Sequence, residues 1–157
     1  MFTMFMEVQR EQVPSTGWLI WQVALRCRSA LDRALAPVGL TSAQYGLLAA
    51  LHGLSRGGAR PSQRQLADFA GLEPMYVSKL ARALEQAGLI ERRGDPRDTR
   101  AVLLSITSRG TELLAAARQI VVALDERMLA PLGGRHGDEV ARLYDQLLAL
   151  LQHLDQE

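Results

Sequence analysis

At 157 residues and 48% hydrophobic content, the chain is long enough for one domain with a substantial core, and too apolar for a disordered tail. Its net charge of +1 hides an asymmetry: residues 56–109 carry ten basic side chains against six acidic ones, whereas the remainder carries eight against eleven, so positive charge gathers where nucleic-acid contact would need it. A single cysteine, Cys27, excludes an intramolecular disulfide and makes no metal-ligand spacing with His52, His136 and His153.

No Ser/His/acid set, Gly-rich phosphate loop or facing carboxylate pair marks an enzyme, and no cofactor is expected. No apolar run approaches the roughly eighteen residues of a membrane span, and residues 1–6 lack a basic leader with a cleavage site, so a cytoplasmic chain with no membrane partner is predicted. Residues 1–14 show no periodicity and read as a frayed end or an arm that orders against a partner subunit.

Ser15-Thr16 then supplies a cap for a long helix over residues 17–36, with Ile20, Trp21, Ala24, Cys27, Leu31, Ala34 and Leu35 on one broad face and Pro37 and Gly39 ending it. Thr41-Ser42-Ala43-Gln44 is a capping box that opens a nearly all-apolar helix through Tyr45, Leu47, Leu48 and Leu51 to about His52. Few of its faces tolerate water, which predicts a central position. Gly57-Gly58 marks a mobile loop.

Residues 60–107 hold the densest set of signals. Ser62 with Gln65 three residues on is a second capping box, opening a short helix whose apolar face is Leu66, Phe69 and Ala70. Gly71 supplies the left-handed residue that closes it, and Glu73-Pro74 restarts a helix with Pro where its missing N–H costs nothing. The second helix, residues 74–87, turns Val77, Leu80, Ala81 and Leu84 inward and leaves Met75, Tyr76, Ser78, Lys79 and Arg82 to project. After Gly88, residues 89–93 and 102–106 read as strands around a tip, residues 94–100, rich in turn formers and carrying two arginines. Helix-turn-helix followed by such a hairpin is the winged-helix order.

Thr107 or Ser108 caps a long helix over residues 111–128, and Gly133-Gly134 separates it from a last helix over residues 137–154. There Val140, Leu143, Leu147, Leu150 and Leu154 repeat by threes and fours like a coiled-coil seam, widened by Leu148 and Leu151. The terminal helices bring more apolar surface than one winged-helix core buries. At roughly 25 cal/mol per Å² the exposed stripe would sacrifice several kcal/mol, so an obligate dimer built from the first helix and the last two is predicted.

The chain resembles the MarR (multiple antibiotic resistance regulator) family of winged-helix regulators over nearly its whole length. The resemblance is carried by Leu89-Ile90-Glu91-Arg92-Arg93 leading into Asp95-Pro96-Arg97-Asp98-Thr99-Arg100, similar to the family's Asp-x-Arg wing, and then by Leu104-Ser105-Ile106-Thr107 with Gly110. Gln65-Leu66-Ala67, Val77-Ser78-Lys79-Leu80 and the run from Leu84 to Ile90 are similar to its helix-turn-helix. The fold class implied is mainly α with a small β-hairpin wing: a winged helix-turn-helix head at residues 41–107, with dimerisation helices at 15–37 and 111–155.

The resemblance implies a homodimer binding near-palindromic double-stranded operator DNA, with the second helix in the major groove, Arg97 in the minor groove, Asp95 bracing the hairpin, and release by a small-molecule effector. Ser62, Gln63, Arg64, Met75, Tyr76, Ser78, Lys79 and Arg82 join them as DNA-contact candidates; Arg92, Arg93 and Arg100 serve equally as phosphate clamps or as a solvated face. Two positions depart from the pattern: Glu73 stands where a Ser, Thr or Asp cap is more usual, and Met75-Tyr76 replaces smaller polar residues.

For an aromatic or phenolic effector, Trp18, Trp21, Arg28, Tyr45 and His52 are candidates to line a crevice between the first two helices, the long helix after the wing and the head. Packing is the competing role for the tryptophans, and capping or surface exposure for His52. Cys27 reads as a small buried thiol, with redox sensing as the alternative. A rival function is a winged-helix module that binds protein rather than DNA.

Overall fold

The computed structural model describes residues 14–156; of residues 1–14, read above as a frayed end or arm, all but Pro14 lie outside the described residues. The capping signals act where the sequence puts them. Ser15 Oγ accepts the Trp18 N–H at 3.2 Å and opens α1 (Thr16–Leu35), which passes into a 3-10 turn, Ala36–Val38, and ends on Gly39 at φ 74°. The Thr41–Gln44 capping box opens α2 (Ser42–Leu54), closed by bonds of 3.2 and 2.9 Å in its two directions. Asp32 of α1 adds an acceptor at this helix start: its Oδ1 takes the Ser42 N–H at 2.7 Å, and that bond holds the Asp32 carboxyl below its ordinary value.

α2 is the hub. It buries Leu47, Leu48 and Leu51 and packs on α1, on α3 (Gln63–Ala70), α4 (Pro74–Gln86) and the second strand of the hairpin β1 (Ile90–Gly94) and β2 (Val102–Ile106), and on α5 (Ser108–Met128). The strands pair antiparallel from Ile90↔Ile106 to Gly94↔Val102. β2 is also bridged on its other side, Ser62 to Leu103, with Leu104 N–H donating to Pro61 O at 2.9 Å. The chain entering α3 therefore stitches the wing to the helix-turn-helix.

Three expectations shift. α5 begins at Ser108 rather than residue 111, because Thr107 both accepts the Gly110 N–H at 3.0 Å and donates to Gly88 O at 2.8 Å, starting the helix directly off the wing. Gly110 makes this possible: a Cβ there would meet the Leu89 carbonyl oxygen and the Ile106 side chain. The loop around Gly57-Gly58 is a 3-10 turn, Arg56–Gly58, with both glycines at positive φ. Phe69, expected on the apolar face of α3, is 62% exposed. With Leu66 and Ala67 centred on the buried side, Phe69 falls roughly 110° round the helix.

The last helix, α6 (Asp138–Leu154), buries none of its residues and packs mainly on the 3-10 turn Ala130–Leu132 that precedes it. α1 crosses α5 yet buries only Leu35, leaving Trp18, Leu19, Ile20, Trp21, Val23 and Leu25 exposed.

Candidate nucleic-acid interface

One face of the head is assembled from three local devices. At the start of α3, Ser62 Oγ accepts the Gln65 N–H at 3.1 Å while Gln65 Oε1 accepts the Ser62 N–H at 2.8 Å, which locks the turn that presents Gln63 and Arg64. Arg64 makes an exposed pair with Asp68 at 3.5 Å, of little energetic weight. Gly71, at φ 61°, closes α3 and turns the chain into α4.

In α4 the burial of Val77, Leu80, Ala81 and Leu84 forces the rest of the helix outward by its 3.6-residue period. Lys79 and Arg82 are exposed, Ser78 is half-buried and accepts a bond from Arg82 at 3.1 Å, and Met75 is 83% exposed at the first turn. Pro74 sits at the helix start, but Glu73 makes no side-chain cap.

The wing tip is a pair of Asx turns. Asp95 Oδ1 accepts the Arg97 N–H at 2.8 Å, Asp98 Oδ1 accepts the Arg100 N–H at 2.9 Å, and Asp95 N–H closes on Ala101 O at 3.0 Å. Each aspartate thus spends its carboxylate on backbone. Among the described residues the Arg97 and Arg100 side chains have no hydrogen-bond or ion-pair partner, so a hairpin of fixed shape holds out two arginines free to meet an anion. Between this tip and the starts of α3 and α4 lies an open cleft of about 690 Å³ lined by Ser62, Gln63, Arg64, Gln65, Pro74, Asp95, Asp98, Arg100 and Leu103, joining residues from both ends of the head.

The other two wing arginines differ. Arg93 pairs with Glu91 at 2.8 Å in the open. Arg92 is a strut: its Nε donates to Gln63 Oε1 at 3.0 Å and its guanidinium to Glu85 at 3.2 Å, tying β1 to the start of α3 and the end of α4. Neither role assigned to Arg92 from sequence included this one, because its partners lie 29 and 7 residues away.

The effector candidates do not share one crevice. An apolar groove of about 520 Å³ runs between α1, α2 and the head, lined by Ala24, Cys27, Arg28 and Leu31 of α1, Ser42, Ala43, Gly46, Leu47 and Ala50 of α2, and Ala70, Leu72 and Tyr76 of the head. Of the five candidates only Arg28 is in it, and α5 contributes nothing. Tyr45 and His52 belong to another stripe of α2: desolvation pushes the Tyr45 phenol up, with Arg118 opposing and Asp125 reinforcing, and Arg118 lies 3.4 Å from His52 Nδ1. Trp18 and Trp21 lie on exposed α1 surface. The signal that finds the groove is the run of small residues Ser42, Ala43, Gly46 and Ala50 along α2 opposite Ala24, Cys27 and Leu31.

The model of the MarR family matches residues 40–102, the head with its wing. A Bacillus subtilis HTH-type transcriptional regulator, YdcH, is 38% identical over 116 residues, 74% of this chain and 79% of its own. This chain belongs to the MarR family. Solved structures agree in fold across nearly all of it: an E. coli MarR mutant complexed with operator DNA matches 91% of the chain and 97% of its own at 26% identity and TM-score 0.77. The transcriptional repressor CouR matches bound to a 23-mer DNA duplex, at 26% identity over 94% of this chain and 96% of its own with TM-score 0.75. CouR from Rhodococcus jostii RHA1 matches again bound to p-coumaroyl-CoA, at 28% identity over 88% and 90% with TM-score 0.71.

The MarR-family membership makes this chain a winged-helix, DNA-binding transcriptional regulator, in a family of regulators rather than enzymes. Among the described residues no single helix is long and apolar enough to cross a membrane.

Proposed function

We propose that this chain is a homodimeric, cytoplasmic repressor that holds two heads on near-palindromic operator DNA and lets go when a small aromatic or phenolic acid binds. The observation that carries the DNA reading is the wing tip, where both aspartates are spent on backbone N–H groups and Arg97 and Arg100 are left unpaired, Arg100 across an open cleft from the start of α4. Ser78, Lys79 and Arg82, with Met75 and Tyr76 at the first turn, read the major groove; Arg97 enters the minor groove; Ser62, Gln63, Arg64, Arg93 and Arg100 meet phosphates. Arg92 and Asp95 keep these groups in place.

Residues 15–37 and 111–155 are the dimerisation arms and residues 41–107 the head. The exposed apolar surface of α1 and α6 supports this division, since one chain leaves Trp21, Leu150, Leu151 and Leu154 each about half exposed or more. Half-sites one turn apart require reading helices roughly 34 Å apart, so the arms set the spacing.

The groove between α1, α2 and the head supports an effector site. Arg28 is its one cation, Ser42 and Tyr76 bring hydroxyls, and the rest is apolar or small, which suits a ring with a carboxylate. That CouR binds p-coumaroyl-CoA points to the same phenolic class. A tenfold release needs only about 1.4 kcal/mol of difference in ligand affinity between DNA-competent and incompetent shapes.

Titration against the DNA upstream of the chain's own gene, at two salt concentrations and beside random duplex, tests the proposal. A specific site with steep salt dependence and a light-scattering mass of two chains is expected. Equal grip on random and promoter duplex, or a one-chain mass at micromolar concentration, would overturn it.

A further inference from the structure

We propose that Tyr76 is the positioning residue through which occupancy of the α1–α2 groove reaches the DNA-reading surface. The inference rests on the regulator reading above and adds the route of coupling within one subunit.

Tyr76 is the only residue of α4 that lines the groove, closing it with Ala70 and Leu72 against the wall formed by Ala24, Cys27 and Leu31. It is 37% exposed, so the groove walls cover its side chain only in part. Met75, beside it, is 83% exposed, while Val77, next along, is fully buried. The first turn of α4 therefore carries an inward anchor, a groove wall and an outward contact on three consecutive residues.

That turn is also the one helix start in the head without a side-chain cap. Ser15, Thr41, Ser62 and Thr107 each give α1, α2, α3 and α5 a side-chain cap, whereas Glu73 gives α4 none. Its position depends on packing, to which Tyr76 contributes. A ring entering the groove contests the volume that the Tyr76 phenol borders. Either the phenol swings outward, toward the surface of Met75 and Lys79, or the uncapped turn moves with it. Both responses change the face presented to DNA, and by linkage DNA that fixes the turn disfavours the occupant by the same factor.

Cys27, the sole cysteine, lines the same groove, so a covalent plug can stand in for the effector. Benzyl methanethiosulfonate is attacked at its sulfenyl sulfur by the Cys27 thiolate; an S–S bond forms, methanesulfinate leaves, and the thiol is oxidised as the reagent is reduced. Methyl methanethiosulfonate leaves a small plug by the same step. Mass spectrometry confirms one adduct, Cys27→Ser gives the unplugged control, and each variant is compared with its own unmodified form, so that any direct effect of Tyr76 on DNA affinity cancels.

The benzyl plug should lower affinity for the promoter duplex roughly tenfold in the wild type and in Tyr76→Phe, and by less than about threefold in Tyr76→Ala, values in the range of ordinary site-to-site coupling. The methyl plug should do little in any of them. Tyr76→Leu, which keeps more packing, should also lose most of the benzyl effect. A Tyr76 that only stabilises the fold would give additive losses instead. An equal benzyl effect in Tyr76→Ala and wild type, or none in wild type, overturns the coupling while leaving the regulator reading intact; unmodified protein without salt-dependent promoter binding overturns the regulator reading and this inference with it.

Discussion

Leu48, Leu66 and Leu104 in the head are fully buried by other parts of their own chain, whereas Leu148, Leu151 and Leu154, a stripe on α6, are 40%, 60% and 63% exposed. The side chains are the same; the head draws its leucines from two helices and a strand, α6 from one helix. They differ in what surrounds them: α2 gathers α1, α3, α4, α5 and β2 around the head's leucines, while α6 leaves the turn after Gly133-Gly134 with little to lie on. An apolar stripe marks surface that water disfavours, and tertiary connectivity decides whether the same chain covers it.

Four variants bear on this contrast. The largest effect is expected from Leu147→Asp with Leu151→Asp, which should halve the mass in light scattering. It should also weaken operator binding by roughly 10²–10⁴-fold, because two linked heads bind far more tightly than one. An intact dimer after this change would place the interface elsewhere. Leu104→Ala, in contrast, should leave the mass of the folded protein unchanged and cost about 2–5 kcal/mol in urea unfolding, the usual range for truncating a sealed core leucine.

Arg97→Ala touches neither core nor arms. Operator affinity should fall by about one to two orders of magnitude and the salt slope should flatten by about one counterion, with unchanged unfolding. An unchanged slope would leave Arg97 without a DNA contact. The smallest effect is electrostatic. The Ser42 N–H, at 2.7 Å, lowers the Asp32 carboxyl below its ordinary 3.8, so Asp32 contributes stability that is present above that value and disappears as pH falls through the lower folded one. Asp32→Asn should make unfolding curves less sensitive to pH in that acidic window while leaving the neutral-pH dimer intact. An identical acid profile in the variant would show that Asp32 is not linked to folding.

Much of the head is legible because its instructions are short. The Ser–x–x–Gln and Thr–x–x–Gln boxes and the left-handed Gly71 each close within three residues or so and form as the spacing predicts, and the tip rich in turn formers does turn, through two Asx turns. The candidate site is legible only in part. The outward residues of α4 follow from helical period once Val77, Leu80 and Leu84 are inward, but Arg92's role depends on Gln63 and Glu85 arriving beside it in space. The groove's place between the first two helices and the head, and Arg28 in it, were legible, but the rest of its lining was not. Trp18, Trp21, Tyr45 and His52 are the aromatic and titratable residues a reader picks out, yet the groove is made by small residues, Ala24, Gly46 and Ala50, whose signal is missing bulk.

By itself the order of residues determined where most helices start and stop, most of their apolar positions, that a hairpin carrying arginines follows a helix-turn-helix, and that the terminal helices carry surplus apolar surface. These are consequences of bonds and periods spanning three or four residues, available before the chain has folded on itself. Only the tertiary structure decided that Arg92 is a strut, that Gly110 lets α5 start under the Leu89 carbonyl, and that Tyr76 and Cys27 border one groove. Those relations join residues from 7 to 49 positions apart and depend on how separate elements pack, which no local spacing encodes.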